Sequence, residues 1–459
     1  MRKINLTEGN IAKTLVKLAL PIMGTSFMQM AYNLTDLIWV GKLGSNAVTA
    51  VGTAGFFTWV AMAFIMMSRI GGEISVAQST GKGDIKGARY YTKTALQMNF
   101  FLSILYIAFL VAFRNQLIGF FNLKDADIFK EAVLYLTIVA FGLFFHFLNQ
   151  VLSGIFTGYG DSRTPFRMNA IGLVINIVLD PVLILGLGPC PRMEVKGAAI
   201  ATVFAQFVVT LSFLVKLKGH PLFHQLQLIS IPDFSKVKHI ANLGFPVALR
   251  EGLFASFSIV IARIIATWGP IPIAVQKIGA QIEALSWMTS SGFATALAAF
   301  VGQNYGAEKW DRIKKGFFVS LGIVTGIGIG ATFLFYFGAG PIFSIFLSEE
   351  EALKQGIIYL KILSFSQVFM CIEIITGGAF NGLGKTLPPA LVGIILTGLR
   401  IPIAMFLSKR TSLGLKGVWW SISGTSVIKG IILIVMIMPV IKALPKTEAS
   451  SLQEVNLDV

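Results

Sequence analysis

Apolar stretches long enough to cross the hydrocarbon core of a bilayer recur about twelve times along this chain, separated by short runs of polar and turn residues. No soluble fold has room to bury that many. The rest of the composition agrees: 55% of residues are hydrophobic, 13% are charged, and 38 of the 459 are phenylalanine. The chain is expected to be an all-α integral membrane protein. The first apolar stretch starts too late and runs too long for a secretory signal peptide, so it counts as a span.

The second constraint is an internal repeat at an offset of about 225 residues. Leu20-Pro21 matches Phe245-Pro246, Gly44 matches Gly269, and the run Val76 to Gly81 matches Val301 to Gly306. The register drifts slightly later, where Gly158-Tyr159-Gly160-Asp161 falls on Gly382-Leu383-Gly384-Lys385 and Lys196-Gly197 on Lys416-Gly417. Six spans per copy leave both copies facing the same way. Two six-helix lobes related by a pseudo-two-fold axis along the membrane normal are therefore expected. The expected division is 1–215 for the first lobe, 216–240 for a cytoplasmic linker, 241–445 for the second lobe and 446–459 for a cytoplasmic tail. Weak helix-like patterning around Phe223 to Leu228 suggests an interfacial turn lying on the membrane. Pro21 and Pro246 hold the same place in the first helix of each copy, as structural kinks or as hinges.

Basic residues set the orientation. With both termini inside, the inner loops collect about 21 Lys and Arg against about 10 outside, which places the chain in the cytoplasmic membrane. The richest clusters, such as Lys82, Lys86, Arg89 and Lys93, are short loops without an aromatic platform. They read as topology signals facing anionic lipid, so the formal net charge of +16 implies a bilayer and no nucleic-acid partner. A monomer is expected.

Catalytic motifs are missing. Thr80-Gly81-Lys82 lacks the glycine a phosphate loop needs at position 76, and His146, His220, His224 and His239 show no metal spacing. Cys190 and Cys371 are not expected to pair. The chain is not expected to be an enzyme, and no cofactor is implied. Any energy for transport would then have to come from an ion gradient. His146, the histidine placed inside a span, is either a satisfied core residue or a proton relay.

Ionisable groups at membrane depth are costly and are functional candidates. In the first copy these are Asp36, one turn after Tyr32, and Asp180, one turn after Asn176. With Thr202 on the sixth helix, all lie roughly 9 to 12 Å below the external surface at 1.5 Å per residue. No Lys or Arg shares that depth. Two carboxylates out of water need a proton or a hard cation such as Na⁺ to offset their charge, with Asp36, Asn176, Asp180 and Thr202 as possible Na⁺ ligands. The competing reading is that each acid only bonds a neighbouring helix. The second copy lacks both acids, since Asp36 falls on Ile261 and Asp180 on about Ile401. Its own acids, Glu251, Glu283 and Glu373, are accompanied by Arg250, Arg263, Lys277 and Arg400, as paired ions or as secondary substrate or proton sites. Arg69 and Glu73 are expected to form a local salt bridge. Met23, Met28 and Met30 either pack or soften a promiscuous site.

The runs Asn33 to Gly44, Gly158 to Pro165, Asn176 to Pro181 and Val301 to Ala307, in that order and spacing, resemble the multidrug and toxic compound extrusion (MATE) family over nearly the whole chain. The resemblance implies a twelve-helix antiporter that exports amphipathic, often cationic compounds in exchange for H⁺ or Na⁺ by alternating access. It also implies an acid at Asp36 whose protonation bends the first helix, and a polar site at Tyr32, Asn176, Asp180 and Thr202. There are departures. The acids of the NorM-type and eukaryotic branches would fall here on Phe254 and Met370, with Glu251 and Glu373 each three residues away. Glu283 looks more like the acid of a common bacterial branch. A lipid-linked precursor flippase of the same general architecture is the alternative; it would need a cleft lined with Arg and Lys for pyrophosphate.

Overall fold

The computed structural model describes residues 4–123, 125–187, 190–224, 226–347 and 349–445. The expected tail, 446–459, lies outside them. The described residues are helical and linked by short turns: α1 (Ile11–Gly41), α2 (Ser45–Gly81), α3 (Ile85–Gly119), α4 (Ala126–Tyr159), α5 (Arg163–Leu185), α6 (Glu194–Leu217), α7 (Phe234–Ala266), α8 (Pro270–Gly306), α9 (Trp310–Phe337), α10 (Ala339–Ser344), α11 (Glu350–Ser364), α12 (Gln367–Gly382), α13 (Leu387–Arg410) and α14 (Leu415–Lys442). Eleven of these are long and apolar enough to span a membrane, or twelve spans if the bent pair α11 and α12 counts as one. The chain is a multi-pass membrane protein. Large apolar side chains also sit on its surface, among them Phe101 at 66% exposure and Leu105 at 55% on α3, as lipid requires.

The repeat is visible in the helices. Ser45–Gly81 and Pro270–Gly306 start and stop at matched positions of the two copies. Gly44 and Gly269, which precede them, share the same backbone, with φ of 108° and 100° and ψ of 175° and −174°. That positive φ is open to glycine at little cost, which explains the matched residue.

The chain packs as two compact units. One is built on Gly24–Ala248 and the other on Asn5–Met23 with the chain from Leu249 onward. The first helix of each copy thus changes unit two residues beyond its proline, after Met23 in α1 and after Ala248 in α7. The lobes expected from sequence differ from these packing units by that exchange of half-helices. Within the first unit α4 is central, packing on α2, α3 and α6, while α5 packs on α6. Within the second, α12 packs on α8, α9 and α14, and α13 on α14, the same scheme.

The copies differ in two elements, the first being that unbroken α3 corresponds to α9 and the short α10. Unbroken α4 corresponds to α11 and α12, which meet at 50°. A break at membrane depth frees backbone groups, and side chains answer them. Gln367 Nε2 donates to the Leu363 carbonyl at 3.2 Å, Ser366 Oγ to the same oxygen at 2.9 Å, and Thr332 Oγ1 to the Ser364 carbonyl at 2.9 Å.

The linker is shorter than expected, because α6 runs to Leu217 and α7 begins at Phe234. Pro221 to His224 form hydrogen-bonded turns and Leu226 to Leu228 are not helical, so of the turn expected near Phe223 to Leu228 the described residues show a non-helical turn as far as His224, with position 225 outside them. Polar groups of α3 hold the segment instead. Arg89 Nε donates to the Pro221 carbonyl at 2.6 Å, and Gln97 Nε2 to the Leu228 and Ser230 carbonyls at 2.8 and 2.9 Å.

Candidate ion-coupling site

Four helices of the first unit bring polar side chains to one place. Asp36 of α1 lies against Asp180 and Asn176 of α5 and Thr202 of α6. Tyr32, one turn before Asp36, donates from its hydroxyl to the Thr202 carbonyl at 3.5 Å. Asn176 and Asp180 are both 0% exposed, and Asn176 Nδ2 donates to Asp180 Oδ1 at 3.0 Å. Pro181 follows directly inside α5; its ring removes one backbone donor and releases the carbonyl one turn back. The five residues singled out from sequence therefore meet.

A sixth was missed. Tyr135 of α4, 7% exposed, lies beside Asp36, Asp180 and Thr202. Its hydroxyl within the apolar run Ala132 to Leu136 was the available signal.

What distinguishes the cluster is what it leaves unbonded. Asp36 Oδ1, Asp180 Oδ2, Asn176 Oδ1 and Thr202 Oγ1 are buried without a hydrogen-bond partner. Buried polar atoms are ordinarily paired, so four orphaned oxygens from three helices mark a place for something else. No Lys or Arg is among the groups acting on Asp36 or Asp180. A proton shared between the carboxylates would supply a donor. Carboxylate, amide and hydroxyl oxygens are also the ligands a hard cation prefers. Nitrogen and sulfur ligands are not part of the set, and among the described residues no group of three or more His, Cys, Asp or Glu is arranged to hold a metal.

A small cavity opens beside Tyr32. It has about 20 Å³ of room, enough for a water molecule. Thr25, Met28 and Gln29 of α1, Asn169 of α5 and Gln206 of α6 are among its walls. Met28 thus faces polar space, whereas Met23 packs against Gly292 in the other unit's core.

The acids of the second unit behave differently. Glu373 pairs with Lys429 at 2.8 Å, both largely buried, and Glu251 pairs with Arg250 at 2.6 Å in a half-exposed position. Lys429 on α14 was not anticipated. Arg263 and Lys277, expected as companions, lie on the surface. Arg400 donates to Thr425 Oγ1 at 3.0 Å and Ser426 Oγ at 3.3 Å. Glu283 faces Arg400 without an ion pair, and its Oε1 has no partner. The anticipated Arg69–Glu73 salt bridge is also absent: the two are neighbours on α2, yet Arg69 Nε and both Glu73 oxygens are unpartnered. Cys190 and Cys371 are free thiols, and Ser290 Oγ donates to Cys371 Sγ at 3.1 Å.

Comparison with known proteins follows the same lines. The MatE family model matches twice, at residues 21–182 and again at 246–406, reproducing the offset of the internal repeat. A probable multidrug resistance protein, NorM, of Thermotoga maritima is 29% identical over 414 residues, covering 89% of this chain and 88% of that one. A solved MATE structure in a bent conformation superposes with a TM-score of 0.90 at 24% identity, covering 97% of this chain and 98% of its own. A MOP superfamily transporter from Pyrococcus furiosus, whose pocket is described as having reversed polarity suggestive of a different function, gives 0.87 at 25% identity, covering 97% and 99%.

Proposed function

This chain belongs to the MatE family, whose model covers both of its halves, and from that premise we propose that it is an antiporter that exports amphipathic, often cationic compounds in exchange for H⁺ or Na⁺. The coarser statement, that it is a secondary transporter of small molecules and no enzyme, comes with the family. The observation that carries the finer one is the set of four orphaned oxygens on Asp36, Asn176, Asp180 and Thr202. Ion and substrate compete. When the acids hold a proton or Na⁺, the negative charge that favours a cationic substrate is gone and the substrate leaves outward. When the ion departs inward, the charge returns and substrate is readmitted. Alternating access of this kind needs a bend in α1, for which Pro21 and the change of packing unit after Met23 give a place. Pro246 serves α7 in the same way. The protein acts as a monomer in the cytoplasmic membrane with both termini inside, and takes no nucleic acid.

Glu251 and Glu373 are read as structural ion pairs, and Glu283 as a secondary proton or substrate site, since one of its oxygens is free. The flippase alternative would need cations to spare for a pyrophosphate. Arg250 and Lys429 are each matched to an acid, and Arg400 is engaged by Thr425 and Ser426 and faces Glu283, which disfavours it. Counterflow of a fluorescent organic cation in proteoliposomes tests the proposal. Movement driven by an imposed pH or Na⁺ gradient is expected and names the ion; no movement with either gradient overturns it.

A further inference from the structure

A second group of buried, unpartnered polar atoms lies closer to the Gly81 end of the first unit. Glu73 on α2 is 3% exposed, and neither carboxylate oxygen has a hydrogen-bond partner. Arg69, one turn before it, is the charged group that acts on it, but at more than ion-pair distance and with its own Nε unbonded. Both side chains lie over Gly154 of α4. A methyl group there would stand 2.9 Å from Arg69 Cγ and 3.5 Å from Glu73 Oε2.

The internal repeat shows that packing does not ask for these residues. In the first unit a Cβ on Gly158 would meet the Glu73 carbonyl oxygen at 2.5 Å; in the second, a Cβ on Gly382 would meet the Ala298 carbonyl oxygen at 2.6 Å. Likewise Gly154 faces the Arg69 carbonyl and Gly378 the Ala294 carbonyl. The same helix crossing is built twice. At the positions of Arg69 and Glu73 the second copy carries Ala294 and Ala298. An acid deprived of partners costs free energy that an alanine would not, so the first copy keeps it against the interest of packing.

The cluster is also connected to the ion site. His146 of α4 lies near Arg69 and near Gln206 of α6. Asn149 Nδ2 holds Gln206 from the same helix, donating to its backbone oxygen at 2.9 Å and to Oε1 at 3.0 Å. Gln206 lines the water-sized cavity, and so does Tyr32, which belongs to the ion site. Tyr32, the cavity, Gln206 and His146 thus place polar groups between the acid pair and the Arg69–Glu73 cluster. Glu73 stands two turns from the end of α2 at Gly81, or about 12 Å along the axis.

We infer that Glu73 is a second proton-holding carboxyl, the inner station through which a proton leaving the Asp36–Asp180 site passes, with His146 and the water-sized cavity between them. A proton released from the acid pair moves through the cavity to His146 and onto the Glu73 carboxylate, which becomes a neutral acid; water at the inner end then removes it. Arg69 keeps its charge throughout and, from beyond ion-pair distance, offsets part of the charge of the empty carboxylate.

This inference rests on the antiport reading with a proton as the coupling ion, and two assays separate their fates. Glu73→Gln and His146→Asn are placed in proteoliposomes and measured for substrate–substrate exchange at equal pH, and for net transport driven by a pH gradient with proton release followed by a dye. Exchange needs no proton step. It is expected to stay within about twofold of wild type, while gradient-driven transport falls about tenfold and Glu73→Asp restores part of it. Equal losses in both assays would make the cluster structural and overturn the inference, and so would unchanged transport in both. If the wild type moves substrate on a Na⁺ gradient and no protons, this inference fails while the antiport reading stands. If Asp36→Asn transports normally, the antiport site itself fails.

Discussion

Asn176 donates a hydrogen bond of 3.0 Å to Oδ1 of Asp180, one turn further along the same helix. It thereby occupies Oδ1 of Asp180, the acid that neighbours Asp36, and leaves Oδ2 unbonded. Asn176→Leu removes that orientation without adding a charge. A hydrogen bond to a carboxylate is worth about 1.5–3 kcal/mol, so gradient-driven efflux should fall about tenfold or more. Protein level in the membrane should be unchanged. Efflux within twofold of wild type would show that the orientation of Asp180 is irrelevant to coupling.

Asp36→Asn tests the site at its centre. The amide keeps the volume and one acceptor of the carboxylate but holds neither a proton nor a negative charge, so the exchange of ion for substrate has nothing to turn on. Gradient-driven efflux should be abolished while the folded protein stays in the membrane. Near-normal efflux by this variant would sink the assignment.

The matched glycines offer a test of the frame. A methyl on Gly158 or on Gly382 would stand 2.5 or 2.6 Å from a backbone carbonyl oxygen of the neighbouring helix, which cannot rotate away. Each alanine variant should lose about 1–3 kcal/mol, read as a lower midpoint of thermal unfolding in detergent. Because the two crossings are built alike, the losses should be similar. A large loss at one position alone would mean that the copies pack differently there.

Much of this frame was legible because it rests on residues whose constraint is local. Gly44 and Gly269 fit a backbone that other residues resist, and Pro21 and Pro246 mark the same point in two long helices, so the repeat shows in one sequence without a partner to compare. Asp36, Tyr32, Asn176 and Asp180 were legible for a related reason: one-turn spacing of polar residues in apolar helices is a strong signal. What was not legible depends on distance in the chain. Lys429 reaches Glu373 from 56 residues away, Tyr135 joins the acids from α4, and Arg69 stands aside from Glu73 although their spacing suits a salt bridge. The break between α11 and α12 was hidden as well, because its freed carbonyls are satisfied by Thr332 on another helix and by Ser366 and Gln367, common residues in any membrane span.

The Glu373–Lys429 pair makes the last prediction, and it sets structural ions apart from coupling ones. Side-chain exposures of 8% for Lys429 and 17% for Glu373 leave little water for either charge alone. Lys429→Met should therefore strand the carboxylate and cost about 3–5 kcal/mol. The double variant Lys429→Met with Glu373→Leu removes both charges together and should recover most of that loss, since a buried pair replaced by apolar groups is often near neutral. Thermal unfolding of the single and double variants in detergent measures the recovery. Efflux by the double variant supplies the second reading: activity near wild type is expected of a structural pair. A double variant that is stable yet transports nothing would instead make Glu373 part of the transport cycle.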